Sequence, residues 1–279
     1  MIEAITSYCC FGGTQGYYCH PSSVIGSPMK FGVYRPDGCE RDAPALIFLA
    51  GLTCTEDTFA IKAGAQRYAA EHGLVLVTPD TSPRDTGFTD AKKDWDFGEG
   101  AGFYLDATEA PWSQRFRMES WIMGELIDAL VEQFGIDRER LSIFGHSMGG
   151  HGALTLALRH PGLFRSVSAF APIVAPMKCP WGQKAFTGYL GSDRSTWEAH
   201  DASALMQTLH RPYPQGILID QGLADNFLEQ QLYPEAFEAA CRAAEQPLTL
   251  RRHAGYDHGY YFISTFVGEH IAFHADALR

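Results

Sequence analysis

The chain has 279 residues, with 22 Lys plus Arg against 33 Asp plus Glu and a formal net charge of −11. Nucleic acid and anionic membranes need a basic face, so this balance argues against both as partners, while a few local cations would still serve an anionic small substrate. Apolar content of 46% and charged content of 20% suit a globular enzyme, and no apolar run approaches the ~18 residues that span a bilayer.

At the N-terminus, Met1-Ile2-Glu3-Ala4-Ile5-Thr6 lacks the basic start and apolar stretch of a secretory signal. Seven cysteines, odd in number and without a Cys-x-x-Cys pair, argue against a disulfide framework and for a reduced cytoplasmic setting. Cys9, Cys10, Cys19 and His20 match no familiar zinc spacing, so no metal site is expected there. The alternating Met29–Tyr34 reads as a strand, residues 36–44 as a polar turn, and the apolar Ala45–Ala50 as a strand buried on both faces. A loop from Gly51 to Asp57 follows, then a helix ending near Gly73 and a buried strand, Leu74–Thr78. Residues 79–111 are long, rich in Gly and Asp, and aperiodic; Trp95, Phe97, Phe103 and Tyr104 argue that they are ordered. Gly98-Glu99-Gly100-Ala101-Gly102 lacks the Gly-Lys-Ser/Thr ending and preceding strand of a nucleotide cradle. A helix over 118–134 leads to the short apolar run Leu141–Phe144.

That run enters Gly145-His146-Ser147-Met148-Gly149, which fits the Gly-x-Ser-x-Gly nucleophile elbow, a serine at the tip of a sharp strand-to-helix turn. Glycines on either side let strand and helix pass close together. A buried helix over 148–159, a strand at 166–171, an irregular segment at 172–195, a strand at 216–220, a helix at 227–244, a strand at 248–253 and a closing helix at 260–274 complete the chain. Alternating strands and helices mean one domain over 1–279, built on a mostly parallel sheet covered by helices on both faces.

A serine hydroxyl needs a base, and the base a carboxylate that orients it. On this architecture the order is Ser, Asp or Glu, His, with the histidine in the loop after the last strand. Of eleven histidines, only His258, within Gly255-Tyr256-Asp257-His258-Gly259, occupies that loop. His146 and His151 sit too close in sequence to Ser147 to fold back onto its hydroxyl. Asp225, in the loop after the 216–220 strand, is better placed as the acid than Asp220, which ends that strand, or Asp257, which adjoins the base. The Met148 N–H and the Leu52 N–H are the expected oxyanion donors.

Longer motifs carry a family resemblance. They include Gly51-Leu52-Thr53-Cys54-Thr55, Lys62-Ala63-Gly64-Ala65-Gln66-Arg67, Pro79-Asp80-Thr81-Ser82-Pro83-Arg84, Trp95-Asp96-Phe97-Gly98, Gly145–Gly152 and Tyr256-Asp257-His258. With these the chain resembles the S-formylglutathione hydrolase (esterase D) family of α/β-hydrolases from end to end. Asp85 and Ala50 depart from the usual glycine and serine, away from the triad positions. The resemblance implies the α/β-hydrolase fold, hydrolysis of S-formylglutathione to glutathione and formate, side activity on short esters, no cofactor, a cytoplasmic homodimer, and the roles just assigned to Ser147, Asp225, His258, Leu52 and Met148. A formyl group needs only a tiny acyl pocket, which Trp181, Phe103 and the 172–195 segment are expected to narrow. Lys62, Arg84 and Lys92 are candidates for the glutathione carboxylates. Cys54, close to Leu52, is expected at the mouth of the site, where oxidation or a soft metal would obstruct it. A general carboxylesterase or acyltransferase with the same triad, and a catalytically idle binding module, are the competing readings.

Overall fold

The structure is a computed structural model describing residues 2–39 and 41–279. Met1 and Glu40, the latter inside the expected 36–44 turn, lie outside the described residues. Among these residues nine strands form one sheet in the order β1-β2-β3-β5-β4-β6-β7-β8-β9. The strands are β1 (Glu3–Cys9), β2 (Gly13–Ser22), β3 (Ser27–Pro36), β4 (Ala43–Leu49), β5 (Val75–Pro79), β6 (Ile136–His146), β7 (Val167–Phe170), β8 (Ile217–Gly222) and β9 (Leu248–His253). From β5 to β9 every neighbouring pair is parallel, while β1, β2, β3 and β5 pair antiparallel.

The parallel strands β5, β7 and β8 are buried along their whole length, as expected of strands with helices over both faces. The helices are α1 (Thr58–Lys62), α2 (Ala65–His72), α3 (Met118–Ser120), α4 (Ile127–Phe134), α5 (Met148–Arg159), α6 (Pro180–Leu190), α7 (Ala202–Thr208), α8 (Pro234–Ala243) and α9 (Tyr260–Leu278). A π-turn, Trp121–Leu126, joins α3 to α4. α2 packs on α9 over one face of the sheet, and α5 with α7 and α8 covers the other. This is the α/β-hydrolase architecture.

One element goes unmarked in the sequence, and one expectation needs correction. The N-terminal hairpin β1–β2 carries no strong sequence signal, because every residue of β1 is exposed and an edge strand with no buried face has no apolar alternation to read. Cys9 and Cys19 lie at opposite ends of this hairpin, and His20 Nδ1 accepts the Trp121 indole N–H at 3.3 Å. The 172–195 segment also holds a helix, α6, with Pro180 in its first turn and the Cys179 sulfur accepting the Gly182 N–H. Cysteine is not a usual N-cap, so the start went unsignalled.

A polar chain buried under α9 ties that helix to the sheet. Ser142 and Ser166 hydroxyls lie 2.8 Å apart. His274 bonds Ser166 through Nδ1 and Ser168 through Nε2, each at 2.7 Å. Ser168 also meets His270 Nδ1 at 2.7 Å, and His270 Nε2 reaches the buried Asp220 at 3.2 Å. Anionic Asp220 can only accept, so His270 donates from Nε2 and accepts from Ser168; Ser168 then accepts from His274, which accepts from Ser166. Burial opposes the ionised form of Asp220, but hydrogen bonds from His270 and Arg251 hold its carboxyl well below the usual range. Burial keeps His270 and His274 neutral, with affinities for a proton below that of a free imidazole.

An imidazole that stays neutral when folded leaves the unfolded chain with more bound protons in acid. Stability is therefore held above about pH 6.5, where an unfolded imidazole is also neutral, and is lost as the pH falls below that value. We predict that the free energy of unfolding falls as the pH drops from about 6.5 to about 5.5, by up to ~1.4 kcal/mol per pH unit for each such histidine, and the thermal midpoint falls with it. Calorimetry with unfolding-linked proton uptake checks this; a flat stability and no uptake over that window would contradict it.

Candidate active site

Ser147 sits between β6 and α5 at φ 57°, ψ −119°, a left-handed conformation costly for a side-chain-bearing residue. Surrounding backbone bonds hold it there. The Ser147 N–H donates to Phe170 O at 3.0 Å, and its carbonyl accepts from His151 and Ile173 at 2.9 and 3.2 Å. The flanking glycines are required by close approach. A Cβ on Gly145 would fall 2.2 Å from Gly149 O, and one on Gly149 would fall 1.9 Å from Leu49 O.

Asp225 and His258 arrive from the other side, on the loops after β8 and β9. These loops are laced together: Leu223 N–H donates to His253 O and Ala224 N–H to Tyr256 O, both at 2.9 Å. His258 Nδ1 meets Asp225 Oδ2 at 2.6 Å. The other carboxylate oxygen accepts the Phe227 N–H at 2.8 Å, and Gln221 Nε2 lies 3.3 Å from Oδ2. The carboxylate only accepts, so the proton sits on Nδ1 and Nε2 is left as a lone-pair acceptor. The ring is wedged between His146, with centroids 4.4 Å apart, and Phe227 at 5.0 Å.

Ser147 and His258 share the wall of one small pocket of about 130 Å3. Gly51, Leu52 and Cys54, from the loop after β4, form another side, and Trp95, Trp181, Phe227, His146 and Tyr260 complete it. The Leu52 and Met148 amides have no backbone acceptor among the described residues. Leu52 borders the pocket, and Met148 follows Ser147 at the first position of α5. Ser147 is only 3% exposed, so bulk water reaches it through this cleft alone.

The other expected residues divide. Trp181 lines the pocket, edge-on to Trp95 at 5.5 Å. Phe103 does not. It is fully buried under α5, 5.7 Å from the His151 ring, so it packs the core and narrows nothing. Lys62 lies outside the pocket wall, its ammonium 5.6 Å from the centre of the Tyr260 ring. Arg84 is committed to Asp80, at 2.6–3.1 Å, and to the Cys54 carbonyl at 2.8 Å. Lys92 is held by Asp85 at 2.7 Å. Cys54 lies in the pocket wall, and burial pushes its thiol up while Lys62 pulls it down less strongly. It is therefore protonated at neutral pH, which slows its reaction with oxidants.

His146 adjoins Ser147 in sequence and cannot fold back onto its hydroxyl. Its ring instead forms pocket wall beside His258. Neither ring nitrogen has a partner among the described residues, and burial keeps it neutral. Tyr260 and Phe227 were also unassigned, and their only sequence signal is their closeness to His258 and Asp225.

The elbow, the sheet and the loop order define an α/β-hydrolase. The model of the family described as "Putative esterase" matches residues 22–273. The chain is 50% identical over 280 residues to the S-formylglutathione hydrolase of Rattus norvegicus, covering all of this chain and 99% of that one. It is 47% identical to the enzyme of that name from Paracoccus denitrificans, over 99% of this chain and 98% of that one. It superposes on the S-formylglutathione hydrolase from Agrobacterium tumefaciens with a TM-score of 0.95 at 48% identity, over 99% of both chains. The chain belongs to the S-formylglutathione hydrolase family of esterases, and it is a hydrolase.

Because Gly149 abuts the Leu49 carbonyl, Gly149→Ala must push apart α5 and β4. We predict a loss of at least ~3 kcal/mol, read as a lowered urea midpoint. Wild-type stability in this variant would mean that the elbow is looser than described.

Proposed function

We propose that the protein hydrolyses S-formylglutathione to glutathione and formate through an acyl-enzyme, with Ser147 as nucleophile, His258 as base and Asp225 as the group that orients it. The observation that carries this reading is the 2.6 Å contact of Asp225 with His258 Nδ1, which leaves Nε2 free in the pocket that also holds Ser147. Family membership supplies the substrate.

Ser147 Oγ attacks the formyl carbon as its proton passes to His258 Nε2. The oxygen that becomes negative is taken by the Leu52 and Met148 N–H groups, fixed donors of a kind each worth about 3 kcal/mol of barrier. Collapse breaks the C–S bond, and the imidazolium returns its proton to the leaving sulfur. Water then attacks the formyl ester with His258 again as base, and formate leaves as Ser147 regains its proton. A pocket of about 130 Å3 walled by Trp181 and Phe227 suits a formyl group and penalises longer acyl chains, which accords with side activity on short esters only. The reaction belongs in glutathione-dependent removal of formaldehyde, in a reduced cytoplasm.

We predict that kcat/KM for S-formylglutathione exceeds that for a short-chain aryl ester by orders of magnitude. Both should vanish in Ser147→Ala, and Asp225→Asn should lower kcat by about 10^4, as it does where a triad tautomer is inverted. An aryl ester equal to or better than the thioester would replace this reading with that of a general esterase.

We also infer a homodimer. Supporting it are an outer strand, β1, exposed along its whole length, and the exposed Ile5, Tyr8, Phe11 and Ile61 close to it, a patch that a monomer seldom leaves bare. Sedimentation velocity should give twice the chain mass, and Ile5→Lys with Tyr8→Lys should shift it toward the monomer. A wild-type chain that sediments as a monomer would contradict the inference.

A further inference from the structure

The acyl pocket cannot hold the rest of the proposed substrate. At about 130 Å3 it takes the formyl group and the sulfur and leaves the tripeptide outside. A groove continues from it. Trp95, 56% exposed, stands in the wall of both. The backbone that closes the pocket at Cys54 runs into the groove at Thr55 and Glu56. Two residues of chain span at most about 7 Å, a distance within reach of a γ-glutamyl arm attached at the reacting cysteine. The groove has a volume of about 1000 Å3, ample for a small polar ligand.

Most of its charged groups already have partners. Arg84 is locked on Asp80, Lys92 on Asp85, and Asp94 on Lys184 at 3.0 Å. Asp57 accepts the Thr55 hydroxyl. What remains, among the described residues, is Glu56, Lys30 and Lys93, which line the groove with no ion pair. Burial pushes the Glu56 carboxyl up, Asp80 adds to this, and Lys30 opposes it only from a distance. Glu56 is thus a partly buried anion without a cation. The tail of glutathione is the inverse set: one ammonium and two carboxylates, of which the ammonium and one carboxylate share a carbon.

We propose that this groove binds the glutathionyl part of the thioester, with Glu56 receiving the γ-glutamyl ammonium, Lys30 the carboxylate on the same carbon, Lys93 the glycine carboxylate, and Trp95 covering the cysteine between them. The inference rests on S-formylglutathione as substrate and names the residues that select it. Small esters have no such tail, so the groove sets preference for the thioester rather than the chemistry.

Two measurements test it. In Glu56→Gln and in Lys93→Met, the ratio of kcat/KM for S-formylglutathione to that for an aryl acetate should fall about ten-fold, the scale of one charge-assisted hydrogen bond. A ratio equal to wild type in both would overturn the proposal. Calorimetry with S-methylglutathione, which cannot be hydrolysed, decides the groove even if S-formylglutathione proves not to be the substrate. Each variant should weaken binding about ten-fold. Removing the ligand's amino group should cost wild type about as much and cost Glu56→Gln less than two-fold. Equal losses in wild type and Glu56→Gln would mean that Glu56 does not meet the ammonium.

Discussion

The placement of Ser147 and of the two amides beside it depends on the contact of three backbones: the end of β4, the end of β6 and the first turn of α5. Gly149 lies against the Leu49 carbonyl with no room for a Cβ, and Gly145 lies against Gly149 in the same way. That packing supplies the energy that keeps Ser147 at positive φ, since a strained residue persists only where its surroundings over-determine it. It also brings Gly51, the residue that introduces Leu52, beside Ser147: a Cβ on Gly51 would stand 3.2 Å from the serine Cβ. One steric constraint thus places the serine, the α5 amide and the β4 loop amide around the same small volume.

The second half of the site is held by independent means. Parallel pairing of β8 with β9 runs to Gly222 and His253, and the loops beyond are joined amide to carbonyl before Asp225 and His258 emerge from them. Behind β8, Asp220 anchors the buried Ser–His chain that seats α9, the helix that begins just after His258. A carboxylate that the sequence offered as a weaker candidate for the triad therefore works below the site, fixing the scaffold from which Asp225 and His258 project. The two halves are joined through β7, which pairs with β6 on one side and β8 on the other, and they face each other across the pocket.

Much of this could be read from residue order. Short apolar runs such as Ala45–Leu49, Val75–Val77 and Ile217–Ile219 mark the parallel strands, and the elbow motif lies where strand gives way to helix, so the frame and the turn at Ser147 are legible. The place of His258 beside Asp225 is legible too, because it lies in the loop after the last strand. What escaped has physical causes. β1 buries nothing, so its strand character left no alternation. α6 starts from a cysteine cap, which propensity does not mark. Phe103 and Trp181 look alike in sequence, yet one is buried beside α5 and the other, on α6, faces the cleft, and only the fold of the two segments separates them. Arg84 and Lys92 carry charge, but their carboxylate partners are also local, whereas Lys30 and Lys93 have none among the described residues. His146 illustrates the same limit: adjacent to Ser147 in sequence, it cannot fold back on that hydroxyl, yet it walls the same pocket.

The central claim is that Ser147 is the one hydroxyl that His258 and Asp225 activate. The most direct test is mass spectrometry of the intact chain after brief exposure to a fluorophosphonate, with peptide mapping of the adduct. The account predicts a single phosphonyl group on Ser147 in the wild type and labelling slowed by orders of magnitude in His258→Ala. Adduct on another residue, or equal labelling in the two proteins, would contradict it.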